Sequence, residues 1–381
     1  MSTLKRWGDF EKWATRYQKT IDQTNAKILE TLQLYGPRNI KTIAASIDMP
    51  DTTVRFRIKK LMKQGLLLVT TNLNFTKLGL ARGFLITDSL LGRQDLLHNV
   101  IHGTDYWNYI ARCYGKFDGF IAYFAFPVKY KKELQAYLKE AAKLKAVFHH
   151  LFFWITDTYF PYVSFEWYDF EEKRWKFRWD EWVDEILSSS KEMPEILKEP
   201  DDYRVLVDEH DLLILKELEK DAMQDFRKLA KIVGITPPSL HFRWHNHIVK
   251  RMLILQYTTN FKPYPFQTSD FYSFIIEFND EKSLAKFCNA SNRKPFIISY
   301  AKVIGENSLV LGIYILKSEF PNLIKTLNSL HTKGIVKSFL YVMLDVMSHE
   351  RQTVSYEFFK DGKWRYDHKR KLEELKKLME K

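Results

Sequence analysis

The sequence predicts an α+β chain in which two winged helix-turn-helix domains alternate with two ferredoxin-like βαββαβ domains, arranged as an internal pseudo-dimer. Three observations predict it. Residues 21–75 hold three helix-periodic segments followed by a strand-like run. Residues 76–162 alternate strand and helix patterns in the order βαββαβ, which builds an antiparallel sheet with both helices on one face. The whole pattern then recurs at an offset of 186 positions, carrying Asp22 onto Asp208, Ala44 onto Ala230, Phe56 onto Phe242, Arg57 onto Arg243 and Asn74-Phe75 onto Asn260-Phe261.

In chain order, Trp7, Phe10, Trp13 and Tyr17 predict an amphipathic helix over residues 1–20, with a membrane-surface role as its alternative. Ile21 to Tyr35 is a helix closed by Gly36, and Asn39 to Ile47 a second, with Ile40, Ile43, Ala44 and Ile47 inward. After the tight turn Asp48-Met49-Pro50, a polar start at Asp51, Thr52 and Thr53 opens a third helix that buries Val54, Ile58, Leu61 and Met62 and stops at Gly65. Leu66 to Thr71 reads as a strand, and Asn72-Leu73-Asn74 as the start of the return strand of a small wing. In the first ferredoxin-like layer, Gly83 to Thr87, Tyr106 to Tyr114, Phe120 to Phe126 and Val147 to Thr156 are the strands, with helices at Arg93–Ile101 and Tyr130–Leu144.

A tail at 163–188, rich in Phe165, Trp167, Trp175 and Phe177, reads as a half-buried hairpin and a helix, and residues 189–206 as a linker. The second copy repeats these divisions at 207–262, 263–353 and 354–381, where Trp364 and Tyr366 continue the aromatic pattern. Stacking on unpaired bases is the competing use of such rings; their alternation favours packing.

The third helix carries the chemistry. Thr52, Thr53, Arg55, Arg57, Lys59, Lys60 and Lys63 form a cationic row suited to phosphate and base contacts in a major groove, with Arg57 alternatively pairing an acid inside the head. The second head offers Ser239, His241, Arg243, His245 and Lys250, a weaker cationic set. The net charge of +12 favours a polyanionic partner. No apolar run is long enough for a membrane span and Met1 to Trp7 lacks a signal-peptide core, so the expected location is the cytoplasm, on the nucleoid. Two cysteines support neither a disulfide framework nor a cysteine zinc site. His245 and His247 lie on different helix faces and His149-His150 points both ways from a strand, so neither pair predicts a metal, and no cofactor is expected.

Read together, the Asp22-led first helix with Ile28-Leu29 and Leu32, Ile43-Ala44, Thr53-Val54, Arg57-Ile58, Leu61, Gly65, Asn72, Leu78-Gly79 and the turn Gly115-Lys116-Phe117-Asp118 resemble the Lrp/AsnC family of transcription regulators, in two tandem copies. That resemblance implies dimer-like pairing of the two sheets, double-stranded DNA as partner, a possible further homodimer or higher oligomer, and an amino-acid-like effector near Gly115, Asp118 and, in the second copy, Gly305. A strand-to-strand turn uses a glycine in any case. The expected function is a DNA-binding transcriptional regulator without catalytic chemistry. An architectural DNA-packaging protein and a siroheme-decarboxylase-like enzyme on the same layout are the alternatives, and the strand Tyr109 to Tyr114 has an arginine but no histidine of the kind those enzymes carry.

Overall fold

The computed structural model describes residues 20–261, 263–345 and 347–380. The helix expected around Trp7 to Tyr17 lies outside the described residues.

The first head is built from α1 (Gln23–Tyr35), α2 (Ile40–Ser46) and α3 (Asp51–Lys63). Asp22 starts α1 by accepting the Asn25 N–H at 2.7 Å, and Gly36, at φ 77°, ends it. Ile28, Leu29 and Leu32 of α1 meet Ile40 and Ile43 of α2 and Val54, Ile58 and Leu61 of α3 in one buried core. The second head repeats this with α7 (Glu209–Lys220), α8 (Phe226–Val233) and α9 (Pro237–Arg243), the last continuing as a π-helical stretch over Trp244–Val249. Asp208 caps α7, Asp225 α8 and Thr236 α9.

The expected wing hairpin is not what forms. After Leu73 the backbone turns away into a short 3-10 segment, Phe75–Lys77, so Asn72 to Asn74 supply no return strand. Instead β1 (Leu68–Leu73) pairs antiparallel with its own counterpart from the second copy, β8 (Ile254–Asn260). The register pairs Thr71 with Tyr257, residues related by the same 186-position offset, so an approximate two-fold axis passes through that pair. Beside it the Thr70 and Thr258 hydroxyls lie 2.6 Å apart.

The two ferredoxin-like layers join in one way twice over. The first copy contributes β2 (Leu80–Asp88), β3 (Trp107–Gly115), β4 (Gly119–Pro127) and β5 (His150–Ile155) with α4 (Gln94–His102) and α5 (Lys131–Lys143). The second contributes β9 (Ser269–Phe278), β10 (Ile297–Lys302), β11 (Ser308–Leu316) and β12 (Val336–Leu344) with α10 (Glu281–Ser291) and α11 (Phe320–Thr332). Together they form the order β10-β11-β9-β12-β3-β4-β2-β5, with the short β13 (Glu350–Arg351) also on β3. The last strand of copy two thus pairs with the second strand of copy one, Val342 opposite Gly115. The reciprocal junction runs from the end of β5 to β10, where the Thr156 N–H donates to Lys302 O (2.9 Å) and Tyr159 and Tyr300 exchange backbone hydrogen bonds at 2.8 and 2.9 Å. Strand alternation then sends Phe84, Ile86, Ala111 and Ile121 toward Ala301, Val303, Val310 and Val342 between the sheets, while Leu85 and Phe124 face the helices.

The aromatic tails pack rather than project, the first folding back as the short hairpin β6 (Tyr168–Asp169) and β7 (Arg174–Trp175). Phe165 and Tyr168 join the core of the first head, and the helix α6 (Trp179–Ser188) crosses to lie on α10 and α11 of the other copy. There Trp182 is fully buried, and its ring N–H donates to Ala290 O at 3.2 Å. In the second tail α12 (His368–Met379) crosses in return onto α4 and α5 of copy one. Trp364 anchors this tail, buried and donating its ring N–H to Leu78 O at 2.6 Å. Trp364→Ala is expected to destabilise the chain by about 3–5 kcal/mol and Trp364→Phe by distinctly less, as read from chemical denaturation.

Candidate nucleic-acid interface and central cavity

Because Val54, Ile58 and Leu61 anchor α3 on one side, its other side faces outward. Thr52, Arg55, Lys59, Lys60 and Lys63 are all exposed there, with Thr53 half-buried. Arg55 lies 3.7 Å from Asp51 one turn earlier and both remain open to solvent, so the contact leaves the guanidinium available. Phe56 on the same side is 66% exposed, an unusual position for so large an apolar ring.

Arg57 must be removed from the candidate DNA contacts. It turns into the head, donating to Asp22 at 2.8 Å and Asn25 at 3.1 Å, because its position borders the buried face. Arg243, its counterpart, goes the same way, to Asp208 at 2.7 Å and Asp211 at 2.8 Å. Of the remaining predicted residues in the second head, His241, His245 and Lys250 are exposed, whereas Ser239 is half-buried and gives its backbone N–H to the Thr236 hydroxyl at 3.3 Å.

The second head differs inside as well. Asn25 is replaced by Asp211, Leu61 by His247 and Gly65 by Arg251, and the three replacements meet. Asp211 is fully buried, 2.9 Å from His247 and 3.7 Å from Arg251, so the smaller polar cluster of Arg57, Asp22 and Asn25 in the first head has a larger, more ionic counterpart in the second. The heads touch near the axis, where the Arg38 guanidinium lies 3.9 Å from the Phe226 ring centre and donates to the backbone oxygen of Gln224, its own counterpart.

The turn expected to serve an effector is closed on itself. Arg112 folds over it and binds the Asp118 carboxylate, while the Asp118 N–H donates to Asp88 at 2.7 Å. In the second copy the Gly305 N–H is taken by Glu199 at 2.9 Å. Gly115, Asp118 and Gly305 all lie outside the lining of the large cavity.

That cavity, about 720 Å³, sits on the pseudo-axis beneath the β1–β8 ribbon and is walled by both copies. Arg82 and Asn108 come from the first sheet layer, Tyr272 and Ser299 from the second, and Thr71 and Thr259 from the ribbon. Gln33 and Glu219, again 186 positions apart, occupy matching places on α1 and α7. Each accepts a backbone N–H from its own copy's tail, from Val163 at 3.2 Å and Val354 at 2.7 Å. Burial pushes the Glu219 carboxyl up to about 7 and the Arg82 guanidinium below its usual value. Arg82 donates to Asn108 through one nitrogen, while its Nε and the hydroxyls of Thr71 and Thr259 are buried without a protein hydrogen bond. Such polar atoms beside a cavity are satisfied by water or a ligand. Lys294, His349 and Arg351 also line it. Sequence reading missed this site. Its one local signal was Arg82, a charge inside a strand buried at every position but the last.

Comparison with known proteins bears on the first head and on the fold of the chain. Residues 21–67 match the family described as winged helix-turn-helix DNA-binding. An uncharacterised HTH-type transcriptional regulator of Pyrococcus abyssi is 34% identical over 61 residues, a match spanning 16% of this chain and 41% of that relative. Over 93% of this chain and 99% of its own, the crystal structure of the siroheme decarboxylase NirDL superposes with a TM-score of 0.55 at 11% identity. The same enzyme in complex with an iron-uroporphyrin III analogue gives 0.54 at 9% identity over 89% of this chain and 92% of its own. Escherichia coli AsnC aligns with 36% of this chain and 91% of its own at 19% identity and a TM-score of 0.26. The first head is thus a winged helix-turn-helix domain, within a fold that NirDL shares along almost the entire chain. This corrects the expectation of a chain without catalytic chemistry, since the fold covering 93% of it is that of an enzyme. Among the described residues, no helix is long and apolar enough to cross a membrane.

Arg243→Ala is expected to destabilise the chain by less than the roughly 3–5 kcal/mol of a fully uncompensated buried charge, because His247 and Arg251 still face Asp211. Urea denaturation of this variant, compared with His245→Ala as an exposed control, measures the difference.

Proposed function

We propose that the chain is a DNA-binding transcriptional regulator of the Lrp/AsnC type, in which the first head supplies most of the affinity for double-stranded DNA. The observation that carries this reading is the exposed row Arg55, Lys59, Lys60 and Lys63 on a helix whose opposite face is locked into the head. A helix held in that way can enter a major groove, with Thr52 and Arg55 near its start toward base edges and the lysines toward phosphates. The second head, which exposes Lys250 where the first exposes three lysines and an arginine, contributes a smaller electrostatic share. Replacing Arg55 and Lys60 together by alanine is expected to weaken duplex binding and reduce the slope of log affinity against log salt by roughly 2, at about 0.9 for each phosphate no longer neutralised. An unchanged slope refutes the assignment. Selection of bound duplexes from a random pool separates a regulator, which enriches a motif, from an architectural protein, which enriches none.

A second reading is favoured by the cavity. Its volume lies within the range of about 300–1,000 Å³ usual for small-molecule sites, and Arg82 and Arg351 give it cationic groups. We infer that it accepts a planar polycarboxylate of the tetrapyrrole class, its carboxylates met by those cations. Iron-uroporphyrin III added to the protein is expected to give a saturable shift of its main absorption band that Arg82→Met weakens by at least ~10-fold, the scale of one charge-assisted hydrogen bond. The same shift with the Arg82 variant counts against this assignment and leaves the DNA reading intact.

A further inference from the structure

One cluster of side chains is used neither by the heads nor by the cavity. His98 and His102 stand one turn apart on α4, which places both rings on the same helix face. Glu350 reaches them from β13, held by its pairing opposite Ile110 on β3. His98 Nε2 lies 2.7 Å from one carboxylate oxygen of Glu350, and His102 Nε2 lies 2.9 Å from the other. The rings are walled by apolar neighbours, with Phe120 at 5.7 Å from His98 and Trp107 at 4.4 Å from His102, centre to centre. All three side chains remain partly exposed.

We propose that His98, His102 and Glu350 form a binding site for a divalent transition-metal ion, zinc in the first instance. Two imidazoles and a carboxylate are the ligand types this ion prefers, with bonds of about 2.0–2.2 Å, and three protein ligands leave a fourth position for water. The ligand atoms already lie within 4.8 Å of one another. At tetrahedral angles such bonds put ligand atoms roughly 3.3–3.6 Å apart, so the present contacts need open by less than about 1 Å. The side-chain exposure of Glu350, 43%, leaves an approach from solvent.

Among the described residues the other group of suitable side chains, Asp208, Asp211 and His247, offers a contrast. There the Arg243 guanidinium already occupies the space between the carboxylates at 2.7 and 2.8 Å, a cation fixed by covalent attachment. The His98 cluster has the further property that Glu350 sits between His349 and Arg351, both of which line the central cavity. An ion bound there ties this wall of the cavity, which belongs to the second copy, to a helix of the first.

The test uses the full chain without an affinity tag, stripped of metal by chelation and then titrated with Zn²⁺ against a chromophoric chelator. One equivalent is expected to bind, and His98→Gln and His102→Gln each to weaken binding by more than the roughly 10–100-fold that loss of an outer hydrogen-bond partner costs. Co²⁺ in place of Zn²⁺ is expected to give the intense visible bands of a four-coordinate ion in the parent and to lose them in either variant. His247→Gln is expected to leave both measurements unchanged, and circular dichroism to show the same folded content for every variant. Absence of saturable binding to the parent overturns the proposal, as does equal affinity in the His98→Gln/His102→Gln double variant or loss of binding only in His247→Gln.

Discussion

A four-stranded ferredoxin-like sheet has two raw edges, and everything else in this molecule depends on how those edges are covered. Unpaired strand edges expose rows of backbone donors and acceptors that must find partners. Here each copy supplies what the other lacks: β12 pairs with β3, and the continuation of β5 meets β10. Two reciprocal junctions define a pseudo-two-fold axis, and the β1–β8 ribbon lies across it with Thr71 opposite Tyr257. The tails complete the exchange, because each terminal helix covers the helices of the opposite sheet layer. A single copy would expose its inter-sheet face, its ribbon strand and its helices together.

Within that symmetric frame the polar residues have diverged. Gln33 and Glu219 hold the same place and accept the same kind of backbone N–H, yet one is an amide and the other a buried acid. Where the first head has Asn25 and Leu61 the second has Asp211 and His247, and in both the arginine, Arg57 or Arg243, reaches the capping aspartate and the residue three positions on. The contacts between the sheets stay apolar on both sides of the axis, with Phe84, Ile86, Ala111 and Ile121 against Ala301, Val303, Val310 and Val342. Packing constrains shape on both sides of the axis, whereas surface and cavity positions are free to take different charges.

Much of this was legible locally. The repeat at an offset of 186 positions and the βαββαβ order within each copy were both readable in the sequence, and each corresponds to formed elements. The wing was misread because the partner of β1 lies in the other copy, beyond any local rule of hairpin pairing. Arg57 was ambiguous for a geometric reason: helical spacing puts it at the border between core and solvent, and only the position of Asp22 decides which side it takes. The cavity and the His98 cluster were out of reach, since Arg82 meets Glu219 and Arg351, and His102 meets Glu350 across 248 positions, only after the copies close on each other. The shared fold with NirDL shows why layout alone did not settle the presence of chemistry.

Fusion of the two copies has one more consequence. A pair of identical subunits reads a site the same way in either direction and separates on dilution. The heads here are unlike, with an arginine-lysine row on α3 and histidines on α9, and they travel on one backbone in a fixed ratio. On the proposed DNA-binding reading, a duplex engaged by both heads would be gripped with polarity, and inverting it would hand each half to the wrong head.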